Sequence, residues 1–259
     1  MATILSEIVS RKRAEVSALK AAGYYAPFDS VESTTAPGKL SMSRVLMADT
    51  TGIIAEFKRR SPSKGDIHPM ADVAEIVPGY EAAGAAACSV LTDTPFFGGS
   101  ATDFAVARRE SRLPLLRKEF IVDECQIREA AFLGANAVLL IASVLTREEI
   151  ERFASLAHRL DMEVLLEIHG AAELPKIIDE ADMIGVNNRD LNTFTTDIGM
   201  AADIAALLPE RAVKVAESGL SSIAEIRSLR SRGYRGFLIG ETFMKTPDPA
   251  ETLRKFLAR

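Results

Sequence analysis

Glu56 and Lys58 stand two residues apart in the run GIIAEFK, Lys118 sits between Leu116 and Phe120 in PLLRKEF, and Glu167 closes the apolar part of EVLLEIH. Asn187 and Arg189 follow MIGV, and Glu217 ends VKVAE. In a strand, residues two apart share a face. Glu56 therefore shares a face with Lys58, and Lys118 shares one with Leu116 and Phe120. An unpaired charge on an inward face is costly to bury. Any one of these residues alone is as readily a solvated rim group. Five apolar runs ending in charges of mixed sign instead predict one polar pocket in which the ions pair. Lysine and glutamate in one pocket supply a proton donor and a proton acceptor, the requirement of general acid–base chemistry.

Two glycine-containing ends, AESGL and IGE, follow the seventh and eighth runs. Backbone N–H groups at such ends commonly hold a phosphate in a closed α/β barrel. The segment RRSPSKGDIHP after the first run carries Arg59, Arg60, Lys64 and two serines. It reads as a mobile, anion-attracting lid built on Ser61, Ser63, Lys64 and Gly65. These features predict a small, anionic, phosphorylated substrate. His68, His158 and His169 are scattered, and no HExxH, CxxC, Walker A or GxGxxG spacing occurs. No metal and no cofactor is expected. His169 shares parity with Glu167 and reads as a supporting rim residue rather than a catalyst.

The elements that must position these groups are eight short apolar runs. They begin at Gly52, Ala86, Pro114, Ala137, Glu163, Met183, Val213 and Gly236. Runs of this length without strict alternation suit parallel strands buried on both faces. Between them lie amphipathic stretches, with Val73, Ile76 and Val77 at helical spacing in one and Ile223, Ile226 and Leu229 in another. Gly84 and Gly233 sit where helix C-caps belong. Eight βα units predict a (β/α)8 TIM barrel with an N-terminal helical extension; an open doubly wound sheet is the alternative. In the extension, Leu5, Ile8, Val9, Val16 and Leu19 form an apolar stripe on a helix that packs on the barrel. The segment from Tyr24 to Lys39 is rich in turn-forming residues and should be irregular. No linker divides the chain, so residues 1–259 read as one barrel domain, with 1–50 packed on it.

The net charge of −5 argues against a general nucleic-acid binder. Two cysteines, Cys88 and Cys125, make no disulfide framework and fit a reducing compartment. Charges interrupt the N-terminus too early for a signal peptide, and no apolar run is long enough to span a bilayer. The expectation is a cytoplasmic protein with no membrane or nucleic-acid partner.

IAEFKRRSPSKG resembles the first-strand signature of the indole-3-glycerol phosphate synthase family. SVLTDTPFFGGS, LRKEFIVDECQI, LLEIHG, IGVNNRDLNTF, VAESGL and FLIGETFM resemble its later strand segments, and ILSEIVSRKRAEVSALK its leading helix. The likeness covers nearly the whole chain. It implies a monofunctional carboxy-lyase of tryptophan biosynthesis, acting on 1-(2-carboxyphenylamino)-1-deoxyribulose 5-phosphate. Carbon dioxide and water would be lost as the pyrrole ring closes. Lys118 matches the general acid that protonates the substrate carbonyl oxygen, and Glu167 the acid–base residue of dehydration. Lys58 matches a lysine that contacts the substrate carboxylate and serves the second proton transfer. Glu56, Asn187 and Glu217 match orienting residues; Ser61, Arg189 and Ser218 match substrate contacts. Gly219, Gly240 and Glu241 fall where the family wraps the phosphate, and Phe120 and Leu139 where it lines an apolar slot for the anthranilate ring. Burial and neighbouring charge are expected to move Lys118 and Glu167 toward neutral pKa values. Three stretches depart from the family pattern. Glu119 replaces an aspartate and should point toward the helices; Glu124-Cys125 replaces Pro-Tyr; the stretch before Ser43 lacks proline-rich wording. Related phosphoribosyl isomerase barrels lack the Glu56, Lys58, Lys118 and Glu167 set, and a non-catalytic barrel would be expected to lose one of its charges. A monomer or weak homo-oligomer is expected, in association with other tryptophan-pathway enzymes.

Overall fold

The computed structural model describes residues 3–31, 40–190 and 195–258. Eight parallel strands close into a barrel: β1 (Ile53–Phe57), β2 (Ala87–Leu91), β3 (Leu115–Lys118), β4 (Ala137–Ile141), β5 (Glu163–Ile168), β6 (Met183–Asn187), β7 (Val213–Glu217) and β8 (Tyr234–Ile239). Each pairs with its sequence neighbours, and β8 closes on β1 through Ile53 opposite Phe237. The expected (β/α)8 barrel is present, and the open sheet is excluded.

Strand parity sorts the side chains into two cores. Ile54, Leu116, Leu139, Leu165, Met183, Val215 and Leu238 point into the barrel and pack together. Ile53, Val90, Leu115, Val138, Leu140, Val164 and Leu166 alternate with them and meet the surrounding helices. Full burial of such a side chain contributes roughly 1.5–3 kcal/mol, so the apolar strand cores hold the frame that the charged ends require. The register carries those ends to one level, with Glu167 opposite Ile141 and Asn187 opposite Glu217.

The helices start where short polar side chains can cap them. Asp72 accepts from the backbone of Ala74 at the start of the Val73–Ala83 helix, and Gly84 ends it in the left-handed region at φ 97°. Ser222 and Glu225 form a reciprocal capping box on the Ile223–Ser231 helix. After β5 the connection is a 3-10 turn, Ala171–Lys176, rather than an α-helix. Pro175 lies inside it and cannot donate to an α-helical ladder.

The N-terminal extension closes both ends of the barrel. Helix α1 (Ile4–Ala21) brings Ile4, Leu5 and Ile8 over the C-terminal strand ends. Helix α2 (Met42–Ala48) seals the opposite end, with Met42 and Leu46 packed into the interior cluster. Glu163, the first residue of β5, accepts hydrogen bonds from the hydroxyls of Ser41 and Ser43 and from the Ser43 backbone N–H. The Tyr24–Lys39 stretch is not irregular from its start. A 3-10 turn, Ala26–Phe28, buries Phe28 and its neighbour Tyr25 against Val16, Val122 and Cys125. The rest of that expectation, 32–39, lies outside the described residues, as does 191–194 of the IGVNNRDLNTF segment.

Candidate active site

The C-terminal ends of the strands surround a cavity of about 270 Å³; every catalytic, substrate-contact and phosphate position singled out in the sequence lines it, whereas Lys64 and Gly65 of the expected lid do not. At its centre, Lys118 Nζ lies 2.5 Å from Glu217 Oε2 and 3.4 Å from Glu167 Oε2. β3 supplies the ammonium, while β5 and β7 supply the carboxylates. On β1 and the residue after it, Lys58 donates to Glu56 at 2.6 Å. Two glycines make room for these acids. A Cβ at position 185 would collide with the Glu217 carboxylate, and one at position 240 with that of Glu56. Gly240 therefore serves the carboxylate of β1 as well as shaping the loop after β8.

The titration directions correct one expectation. Burial alone would lower Lys118, but the carboxylates of Glu217, Glu167 and Glu56 outweigh it and raise its pKa. Burial alone would raise Glu167, but Lys118 and His169 hold it well below the usual carboxylate range. Both groups move away from neutrality, because pairing across the pocket outweighs desolvation. Glu217 is the group moved toward it. Burial leads and the Glu167 charge adds to it, pushing Glu217 up to about 8 against the pull of Lys118.

Above this centre, Arg189 spans the mouth. Its guanidinium donates to Ser63 Oγ at 2.8 Å and meets Glu241 Oε2 at 3.3 Å. The backbone N–H of Arg189 donates to Asn187 Oδ1, so β6 turns tightly as it leaves the barrel. The segment after β1 folds into a hairpin, Arg60–Ser61 against Gly65–Asp66, and brings Ser61, Pro62 and Ser63 to the cavity. Its basic residues do not line the cavity. Arg59 forks onto both oxygens of Asp103, Arg60 pairs with Asp66, and Lys64 reaches Glu241 at the rim. Beside them, Ser218 and Gly219 adopt φ values of 65° and 77°. A serine in that region carries strain; Asn188 holds it by donating from Nδ2 to the Ser218 carbonyl. One wall is apolar: Leu139 and Ile141 of β4, Phe120 and Phe97 with ring centroids 6.0 Å apart, and Ile4, Leu5 and Ile8 from α1.

Outside the barrel, the sequence neighbours of Lys118 belong to a buried polar chain. Lys12 of α1 pairs with Glu119 at 3.3 Å and Asp93 at 3.1 Å. Thr92 donates to Glu119 and accepts from Arg117. Arg117 pairs with Glu129 at 2.7 Å, and Tyr24 donates to the other oxygen of Glu129. The Glu119 carboxylate thus turns to Lys12 and Thr92, although the residue touches the cavity wall, and it ties β3 to the N-terminal extension. Glu124 opens the Glu124–Phe132 helix and pairs with Arg152, while Cys125 is buried beneath the 3-10 turn.

Sequence reasoning missed Ile4, Leu5 and Ile8 as cavity wall, and also Phe97, Thr242 and Lys245. The apolar stripe of α1 was visible, but not the surface that it would cover.

A closed parallel barrel with paired lysine and glutamate side chains at the mouth of its strands belongs to the class of (β/α)8-barrel enzymes. The sequence pattern described as indole-3-glycerol phosphate synthase matches residues 5–256. A protein of that name from Bacteroides thetaiotaomicron is 52% identical over 99% of this chain and 98% of its own length. One from Neisseria meningitidis serogroup B is 42% identical over 96% of both chains. Two solved structures share the architecture. The N-acetylmannosamine-6-phosphate 2-epimerase of Clostridium perfringens superposes with a TM-score of 0.63 at 10% identity, over 87% of this chain and 99% of its own. A chain of the tryptophan synthase complex of Pyrococcus furiosus gives 0.58 at 14%, over 80% and 96%. At those identities they speak to the fold alone. The chain belongs to the indole-3-glycerol phosphate synthase family, the carboxy-lyases of tryptophan biosynthesis that act on a small phosphate-bearing substrate.

Proposed function

We propose that this chain converts 1-(2-carboxyphenylamino)-1-deoxyribulose 5-phosphate to indole-3-glycerol phosphate, with Lys118 and Glu167 as its central acid and base. The contact of one ammonium with carboxylates from two other strands carries this reading. Lys118, cationic at neutral pH, gives its proton to the substrate carbonyl oxygen as the aromatic carbon attacks and the new C–C bond forms. Loss of carbon dioxide restores the ring electrons. Water then leaves with proton transfer through Glu167. Lys58 meets the substrate carboxylate and takes part in the second transfer, while Glu56, Asn187 and Glu217 orient the groups in motion. Ser61, Arg189 and Ser218 contact the substrate, and the backbone around Gly219, Gly240 and Glu241 receives the phosphate. Phe120 and Leu139 bound the slot for the aromatic ring, and the hairpin through Ser63 and Lys64 closes over it. Acid–base help of this kind contributes roughly 10²–10⁴-fold in rate.

The same reading has the protein work in the cytoplasm as one barrel domain, a monomer or weak homo-oligomer associating with other enzymes of tryptophan synthesis. In support, no helix among the described residues is long and apolar enough to cross a membrane. The direct experiment follows indole fluorescence when purified protein meets the carboxyphenylamino ribulose phosphate. A rise in indole-3-glycerol phosphate is expected; no turnover at substrate saturation overturns the assignment.

A further inference from the structure

Two carboxylates share the Lys118 ammonium, and two acids on one cation compete for a single proton. Their surroundings are not alike. Glu167 has a second basic neighbour: His169 Nε2 lies 3.2 Å from Glu167 Oε1. His169 is two residues along, just beyond the end of β5, so it shares the face of Glu167. The far side of its ring is also held. Nδ1 lies 2.9 Å from Ser143 Oγ and 3.7 Å from Glu173 Oε2. The same Glu173 oxygen accepts the His169 backbone N–H at 2.7 Å, which fixes the turn after the strand. An imidazole with a carboxylate facing each nitrogen is suited to carry a proton on both. Glu217 has no equivalent. Its Oε1 is buried over Gly185 without a hydrogen-bond partner; His169 Nε2 likewise makes no hydrogen bond and meets Glu167 as an ion-pair contact.

We propose that His169, held as an imidazolium between Glu167 and Glu173, decides which of the two carboxylates carries the shared proton. It fixes the negative charge on Glu167 and leaves the proton to Glu217. His169 is thus a positioning residue: it keeps Glu167 ionised and aimed into the pocket without lining the cavity itself. This deepens the acid–base reading above and rests on it. The charged groups facing Glu167 are Lys118 from β3, Glu217 from β7 and His169 from its own segment, with Glu56 of β1 beyond Lys118. Those facing His169 are Glu167 and Glu173, beside the Ser143 hydroxyl. The titration directions agree. Burial alone would lower the imidazole, but the two glutamates bring it up to about 10.

The chain has only three histidines, so NMR on histidine-labelled protein can follow each ring. The His169 resonance is assigned by its loss in His169→Gln. It is expected to remain doubly protonated past pH 8; a ring that is neutral at pH 7 overturns the proposal, whatever the protein's activity. The second measurement is the pH profile of kcat/KM. In His169→Gln the acidic limb should move up by about one pH unit, a tenfold loss below the limb, with plateau KM within twofold. Glu173→Gln should move the same limb by less. An unmoved acidic limb in both variants, in a protein that turns over, overturns the proposal and leaves the ring-closure assignment standing. Absence of turnover in the wild type overturns the assignment, and the NMR titration still decides the charge of His169.

Discussion

The two ends of the barrel are closed by the same N-terminal extension in opposite ways. At the floor, α2 inserts Met42 and Leu46, both fully buried, among Val213, Val215 and Met183. The polar groups there, Ser41, Ser43 and Glu163, satisfy one another. At the mouth, α1 contributes only an apolar wall, and beneath it lie two lysines and three glutamates with little access to water. Burying ion pairs there stabilises the fold poorly, because desolvation offsets much of their attraction. The floor therefore carries stability, and the mouth holds charge against the preference of the core. Strain at Ser218 and the unsatisfied Glu217 oxygen both fall at the mouth.

That contrast can be broken at either end. The largest effect is expected from Lys118→Ala: kcat should fall about 10³-fold, with substrate affinity within about tenfold. Single-turnover kinetics and equilibrium binding check it, and retained turnover removes Lys118 from the role of acid. Next comes Leu46→Ala at the floor. Loss of a buried leucine there should cost about 2–5 kcal/mol in urea denaturation, while kcat at a temperature below melting stays within twofold. A large kcat defect in that variant would mean that the two ends are not separable.

A smaller effect should appear with pH. The His169 pKa is raised in the folded protein to about 10, by glutamates that outweigh burial. A raised pKa means stability that is complete below the ordinary value near 6.5 and is lost as pH rises through 10. Urea midpoints should therefore decline steadily across that window, and His169→Gln should flatten the decline. The smallest effect is expected at the mouth wall. Ile8→Ala should raise KM severalfold, about 1 kcal/mol, with kcat unchanged, as for an apolar contact made equally in ground and transition states. Unchanged KM would detach α1 from the substrate pocket.

Much of the site was legible in the sequence because strand geometry is local. Lys118 between Leu116 and Phe120 can face only the way they face, and the same parity sends Glu119 outward. The charged ends of β1, β3, β5, β6 and β7 could be placed at one level once eight βα units implied closure. The contacts of Lys12, Tyr24 and Ile8 were not legible, because an amphipathic stripe shows that a helix packs but not which end of the barrel it meets. Nor was the direction in which Lys118 and Glu167 titrate, which depends on how close two strands bring them.

What the sequence determined by itself is the alternation of strand and helix, the two faces of each strand, and the set of groups able to move protons. Tertiary structure alone decided who pairs with whom: Lys118 with Glu217 more closely than with Glu167, His169 with Glu167, and the N-terminal extension with both ends of the barrel. Periodicity along a chain records burial, which each residue senses locally. A charge pair depends on a distance of a few ångströms between remote segments, and only closure of the barrel sets that distance.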